Sequence, residues 1–132
     1  MKFRLVVPLI VGVILLGLLS ACATVSQQEL QAANFGPYPA SYETDIKNLM
    51  SRLLKDPYSA NYRFGTPRKG FAQDGLLMGG AKHFGYIIPV YINAKNSFGG
   101  YTGEQLHYLL ISEGKVNEIT QLFNVGMAKY LE

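Results

Sequence analysis

The stretch FGYIIPVYIN, residues 84–93, decides how this chain is expected to fold. Its even-numbered residues from 84 to 92 are all large and apolar, which is the two-residue period of a β-strand with one face against a core. Ile87 and Tyr91 add apolar character to the other face. Pro89 has no backbone N–H to donate, and this predicts an edge position or a bulge.

On the amino-terminal side, residues 41–57 (SYETDIKNLMSRLLKDP) carry a helical period instead. Pro57 predicts that the helix ends near Asp56. A single apolar stripe is a pattern typical of a helix that packs on a sheet. The stripe consists of Ile46, Leu49, Met50, Leu53 and Leu54.

The remaining sequence favours short strands. The pairs Asp74-Gly75 and Gly79-Gly80 are both hairpin signals, and the sequence leaves open which of them closes the first hairpin. Residues 106–110 alternate again, and residues 113–115 predict a tight turn. We therefore predict an α+β fold: one N-terminal amphipathic helix packed on a small antiparallel sheet of three to four strands, with a possible short C-terminal helix. Residues 35–132 form this single globular domain.

The first residues, MKFRLVVPLIVGVILLGLLSAC, have a different character. Lys2 and Arg4 precede an apolar run of 15 residues, 5–19, and small residues follow. This is the layout of a secretory signal peptide. The run is shorter than the stretch of about 20 residues that a membrane span requires.

The tetrapeptide LSAC, residues 19–22, resembles the lipobox of bacterial lipoproteins. In that family the cysteine sulfur receives a diacylglyceryl group, the signal peptide is cut just before the cysteine, and the new amino group is usually acylated. The resemblance implies a signal peptide at residues 1–21, cleavage between Ala21 and Cys22, and lipidation of Cys22. Residues 22–34 are then a lipidated tether, and the membrane is a partner through the anchor. The alternative is an uncleaved anchor with an incidental cysteine.

The residue after the cysteine is Ala23 rather than aspartate. By resemblance to enterobacterial lipoproteins, this favours sorting to the bacterial outer membrane, with the domain on the periplasmic face. An inner-membrane lipoprotein is the alternative.

Composition excludes some classes of partner and site. Without Lys2 and Arg4 the mature chain has ten Lys and Arg against nine Asp and Glu, so its net charge of +1 gives no nucleic-acid footprint. Lipidation of Cys22 leaves no thiol for a disulfide, and a metal site is not supported, because His83 and His107 are the only histidines. We expect no metal and no cofactor.

Three separated motifs, GPYP at 36–39, LKDPxSA at 54–60 and NAKNxxGGYxG at 93–103, resemble a group of small bacterial lipoproteins and secreted proteins of uncharacterised function. The resemblance covers roughly residues 34–116. It implies an architecture and an envelope location but no activity. Relatives often have a cysteine in the strand before NAKN, where this chain has residues 88–90, IPV.

The third motif contains the candidate site. If it is a recognition loop, its glycines let a partner approach the backbone, while its Lys, Asn and Tyr side chains offer donors and an aromatic face. If it is a structural connection, its asparagines bond their own backbone and its glycines take positive φ. The candidate residues are Asn93, Lys95, Asn96, Gly99, Gly100 and Tyr101.

The sequence predicts no catalytic residue and no enzyme, because no nucleophile with a base and no cluster of carboxylates is evident. The expected function is that of a lipid-anchored bacterial envelope protein with a structural or protein-binding role. Its expected partner is another protein of the envelope. The alternative is a lipoprotein that binds a small ligand or inhibits an enzyme. A third hypothesis is a hydrolase that uses His83 and His107.

Overall fold

A computed structural model gives the fold of the protein and describes residues 23–131. The predicted signal peptide, the cleavage site at Ala21 and the lipidation site at Cys22 lie outside the described residues. The elements follow the order α1 (Gln27–Ala32), α2 (Tyr42–Leu53), β1 (Asp56–Phe64), β2 (Arg68–Gln73), a 3-10 turn (Leu76–Met78), β3 (Lys82–Lys95), β4 (Gln105–Ser112), β5 (Lys115–Glu118), α3 (Thr120–Asn124) and β6 (Ala128–Tyr130).

Within residues 23–131 the dominant element is one antiparallel sheet of six strands. Its order is β5-β4-β3-β2-β6, and β1 also pairs with β3. The predicted fold class, an N-terminal helix on a small sheet of three to four strands, is therefore wrong. The helices are short, and the longest of those described, α2, has 12 residues. The error arose mainly at β1 and β6, which pair with strands that are not their neighbours in sequence, β3 and β2. The strand β5 has only four residues, too few for a readable period.

The length of β3 organises the sheet. Its last part pairs with β1, with Phe64 opposite Val90, and its first part pairs with β2, with Arg68 opposite Ile87. The strands β1 and β2 thus lie end to end along one side of β3, and β4 occupies the other side. A strand of 14 residues provides the length that this arrangement requires.

Pro89 lies in the centre of this sheet and not at its edge. Its carbonyl oxygen accepts a hydrogen bond from Gly65 N–H at 2.8 Å, at the junction where β1 ends and before β2 begins. In an antiparallel strand the N–H and C=O groups of one residue point to the same side. The donor that proline lacks would therefore face a gap in the pairing, which explains why β3 tolerates proline there.

Both faces of the sheet are covered by helix. On one face, Ile46 and Met50 of α2 pack with buried residues of β3 and β4. On the other face, Leu122 and Phe123 of α3 pack against a second cluster centred on Ile87. The members of the first cluster in the sheet are Ile88, Val90, Ile92 and Leu109. None of the helices of residues 23–131 has the length and apolar character to cross a bilayer.

Candidate functional site

The two ends of β3 present different surfaces. The strand begins at Lys82 and ends at Lys95, and 14 residues of extended chain span about 43 Å. The amino-terminal segment of the domain binds at the Lys82 end, while the NAKN loop follows the Lys95 end. We name the Lys82 end of β3 the proximal end and the Lys95 end the distal end.

At the proximal end, a capping box begins α1: the Ser26 hydroxyl accepts a hydrogen bond from Glu29 N–H at 3.2 Å, and Glu29 accepts one from Ser26 N–H at 2.8 Å. The Lys82 ammonium donates to Glu29 Oε1 at 2.8 Å and to the Thr24 carbonyl oxygen at 2.5 Å. The predicted tether, residues 22–34, thus contains a helix that is bound to the start of β3.

Further contacts continue this docking along β3. Phe35 packs edge-on against Phe84, with ring centroids 5.7 Å apart, and Tyr38 does the same against Tyr86 at 5.6 Å. Residues 82, 84 and 86 lie on one face of the strand because side chains alternate. The segment between Thr24 and Tyr38 therefore follows one face of β3 away from the proximal end.

Hydrogen bonds shift the acidity of Glu29. The hydrogen bond from Lys82, followed by those from Ser26, lowers the pKa of the Glu29 carboxyl from 4.5 to about 2. Because the pKa is lowered in the folded state, the stabilisation is fully present above pH 4.5 and is lost as the pH falls through about 2.

We expect Glu29→Gln to loosen α1 without unfolding the sheet, because it removes the charge that Lys82 binds and leaves one acceptor oxygen where the carboxylate uses two, one for Lys82 and one for Ser26. Hydrogen exchange measured by NMR should show faster exchange of the α1 amides at neutral pH. Acid titration of the unaltered protein should leave the α1 signals in place down to pH 4.5 and shift them as the pH approaches 2.

Glu104→Gln is the matched control, since it breaks an exposed ion pair of similar length, 2.9 Å, between Glu104 and Arg63. Its effect should be confined to β1 and β4 and should leave α1 unchanged. Equal exchange of the α1 amides in Glu29→Gln and in the unaltered protein would contradict the docking role of Glu29.

At the distal end, Asn96 holds the NAKN loop in shape. Its Oδ1 accepts hydrogen bonds from Phe98 N–H at 2.9 Å and Gly100 N–H at 3.1 Å, and its own N–H donates to the Gly100 carbonyl at 2.8 Å. Gly99 and Gly103 have positive φ angles of 80° and 88°, but Gly100 does not. Asn96 and two of the glycines thus have the structural role that a hairpin connection requires.

Lys95 and Tyr101 join this loop to the start of β1. Lys95 N–H donates to Ser59 Oγ at 2.8 Å, and the Tyr101 hydroxyl donates to the Ser59 carbonyl at 3.2 Å. The Lys95 ammonium lies 5.5 Å from the centroid of the Tyr101 ring, within cation–π range. The two side chains are therefore positioned together on the surface.

Two further aromatic side chains are exposed at this end. Phe98 at the tip of the loop is 97% exposed, and Tyr58 on β1 is fully exposed. Tyr101 is half-exposed. We name the surface formed by Tyr58, Lys95, Phe98 and Tyr101 the distal patch.

Asn93, also a candidate from the sequence, does not belong to this surface. It lies within β3 opposite Asn61, and its side-chain oxygen is buried with no hydrogen-bond partner among the described residues. A buried polar atom without a partner typically costs about 1–3 kcal/mol. Asn93 is therefore a strand residue rather than a residue of the exposed loop.

A cleft of about 330 Å³ lies on the side of the sheet that carries α3. His83 Nε2 is 2.9 Å from Asp74 Oδ2 at its rim. The Ser112 hydroxyl donates to the Phe84 carbonyl at 2.6 Å, so its proton is engaged by the backbone. The cleft therefore offers polar groups for binding a small ligand. Other polar side chains in its lining are Glu113, Lys115, Asn117 and Glu118.

The structure does not bring His83 and His107 together. His107 lies opposite Val90, seven residues along β3 from His83, which corresponds to roughly 23 Å. His107 Nδ1 instead lies 3.4 Å from Glu118 Oε1. Among residues 23–131, no group of three or more His, Cys, Asp and Glu side chains could hold a metal ion.

No family model, curated protein or solved structure matches this chain. Its function is therefore inferred from its own residues and their contacts.

Sequence reasoning found Lys95 and Tyr101 but missed Phe98 and Tyr58. An aromatic residue beside two glycines, as in SFGG, is a signal for Phe98, because a turn tip offers it no core to enter. No local pattern indicates Tyr58, which reaches the distal patch through the pairing of β1 with β3.

Proposed function

We propose that the protein is a lipid-anchored protein of the bacterial envelope, an outer-membrane lipoprotein with its domain in the periplasm, and that it binds an envelope protein through the distal patch. The observation that carries this proposal is the separation of the two ends of β3. Thr24, two residues after Cys22, is bound at one end, and Phe98 is exposed beyond the other, about 43 Å away.

The anchor is supported by the sequence. Positive charge, a short apolar run, small residues and Cys22 occur in the order of a lipoprotein signal. Docking of α1 on Lys82 supports a domain that starts close to its anchor, since few residues remain between Cys22 and the first bound group. The distal patch then faces away from the membrane.

A binding role for the distal patch is supported by its composition. Aromatic residues are enriched in protein interfaces and often supply most of the binding energy. Lys95, held against the ring of Tyr101, adds a positive charge to the aromatic surface. The hydrogen bonds of Asn96 hold the loop in one conformation, which reduces the entropy lost when a partner binds.

A second candidate function is small-ligand binding in the cleft beside His83 and Asp74. This function is favoured by the lining of the cleft, in which acidic and basic side chains converge on one concave site. The protein-binding role is the first proposal because ligand sites of this volume are usually lined by apolar side chains, whereas this cleft has a mixed lining that includes Glu113 and Lys115.

We expect a photo-crosslinking amino acid at position 98 to capture a discrete protein partner in intact cells, because this side chain projects from the distal patch. Position 77 provides a matched control, since Leu77 is equally exposed and lies at the proximal end. Adducts separated by electrophoresis and identified by mass spectrometry should come from position 98 and not from position 77. The same protein adducts from both positions, or none from position 98, would contradict a partner at the distal patch.

A further inference from the structure

Three consecutive apolar side chains are exposed at the proximal end. Leu76, Leu77 and Met78 form the 3-10 turn between β2 and β3, and their exposed fractions are 89%, 104% and 77%. Isolated exposed apolar residues are common, but an exposed run of three calls for a functional reason. We name Leu76–Met78 the apolar tip.

Hydrogen bonds within the chain satisfy part of the backbone in and directly after the apolar tip. Met78 N–H donates to the Gly75 carbonyl at 2.8 Å, Gly79 N–H to the Leu76 carbonyl at 3.2 Å, and Gly80 N–H to the Gly75 carbonyl at 3.2 Å. Backbone groups that lack such partners make entry into lipid costly. Three N–H groups of this turn therefore need no water.

Charged groups beside the tip are also paired. Residues 75–81 contain no ionisable side chain. On either side, Asp74 lies 2.9 Å from His83, and Lys82 lies 2.8 Å from Glu29. The apolar tip thus lies between two pairs of bonded polar side chains, an arrangement compatible with a surface that meets the boundary between lipid and water.

The position of the amino-terminal segment indicates which apolar partner the tip meets. Lys82, four residues after Met78, binds the carbonyl oxygen of Thr24. Cys22 precedes Thr24 by two residues in the sequence, and two residues of chain reach at most about 7 Å. Acyl chains on Cys22 would therefore enter the membrane at the same end of the domain as the apolar tip.

The turn after α3 adds apolar surface at this end. Gln73, the last residue of β2, donates its N–H to the Met127 carbonyl at 2.8 Å. Val125, two residues before Met127, is 68% exposed. The turn after α3 and the apolar tip thus lie beyond the same end of the sheet.

We propose that the apolar tip inserts into the lipid bilayer that holds the acylated Cys22, so that the domain contacts the membrane at two points. This inference rests on the proposed lipid anchor. A domain held by acyl chains alone can rotate about its attachment, whereas a second contact fixes its orientation. The bilayer contact at the tip directs the distal patch away from the membrane surface.

The test uses the full-length lipidated protein in phosphatidylcholine vesicles. Leu77→Cys provides a thiol for an environment-sensitive maleimide fluorophore at the tip, and Phe98→Cys is the matched control at the distal end. The acylated Cys22 does not react with maleimide. Lipids with a spin label on the acyl chain should quench most of the fluorescence at position 77 and leave the fluorescence at position 98 unchanged. Iodide in the buffer should quench the fluorescence at position 98 and leave that at position 77 unchanged.

The outcomes separate this inference from the proposed anchor. Labelling of the chain without an added cysteine would mean that Cys22 is a free thiol. This result would overturn both the lipid anchor and the insertion of the apolar tip. If that chain stays unlabelled but position 77 is quenched by iodide and not by spin-labelled lipid, the anchor stands and tip insertion is wrong. Shielding of position 77 from iodide in the unlipidated Cys22→Ser, Leu77→Cys protein lacking residues 1–21, in buffer without vesicles, would assign the tip to a second copy of the chain and would also overturn insertion.

Discussion

Replacing Cys22 with serine is expected to move the protein from the membrane fraction of the cell to the soluble fraction. Each acyl CH₂ buried in a bilayer contributes about 0.8 kcal/mol, and two or more chains hold a protein stably. Serine cannot form the thioether, so Cys22→Ser removes all of this energy, and the apolar tip by itself is far too small to replace it. Cell fractionation and partition into detergent measure the change.

Ala23→Ser is the matched control, because it introduces the same hydroxyl one residue later and leaves the thiol in place. This variant should remain in the membrane fraction. Equal membrane partition of Cys22→Ser and the unaltered protein, with residues 1–21 shown by mass spectrometry to be removed from both, would contradict the anchor. Mass spectrometry of the protein purified from its own cells would also contradict the anchor if it showed an intact Met1 and an unmodified thiol.

Gly85→Ala is expected to lower the free energy of unfolding by about 3 kcal/mol, the upper part of the usual range for overpacked cores. A Cβ at this position would overlap the carbonyl oxygen of Ile111 and lie 3.1 Å from the Ser112 Cα. These are backbone atoms of β4, so relief requires movement of a paired strand rather than rotation of a side chain. Urea unfolding followed by circular dichroism measures the loss.

The matched control for this change is Gly75→Ala. Gly75 has a φ of −60°, and a Cβ there would meet nothing within 4 Å. Its effect should lie within about 0.5 kcal/mol, as for other surface changes. If both variants unfolded at the same urea concentration, close packing at Gly85 would not be a source of stability.

Local periodicity located residues that the structure buries. The alternation from residue 84 to residue 92 lies within β3, and Ile88, Val90 and Ile92 face one core cluster. The helical stripe lies within α2 except for its last residue, Leu54, and of its members Ile46 and Met50 are buried while Leu53 is exposed. Such patterns are readable because a buried face repeats every 2 or 3.6 residues in the sequence itself.

Pairing between distant segments was not readable, and for this reason the predicted fold class was wrong. The strand β6 has three residues and no strong pattern, yet it pairs with β2. The two hairpin signals, at residues 74–75 and 79–80, both lie in the β2–β3 connection. Pro89 was expected at an edge or bulge, but the gap between β1 and β2 makes room for it in the centre.

The candidate site shows the same division. The NAKNxxGGYxG motif pointed to Lys95, Asn96 and Tyr101. In the structure Asn96 binds the backbone of the loop, while Lys95 and Tyr101 lie beside each other on the surface. Tyr58 joins them because it lies in the irregular part of β1 between Asp56 and Asn61, whose partners on β3 are 39 and 32 positions further along the chain.

By itself the sequence determined the periodic segments of α2 and β3, the small net charge of the predicted mature chain, and the prediction of a lipid anchor at Cys22. The tertiary structure decided the number of strands, the docking of α1 on Lys82, and the separation of the apolar tip from the distal patch. The physical reason is that burial leaves a local period in the chain, whereas backbone pairing and the contact of Glu29 with Lys82, 53 residues apart, depend on how distant segments meet.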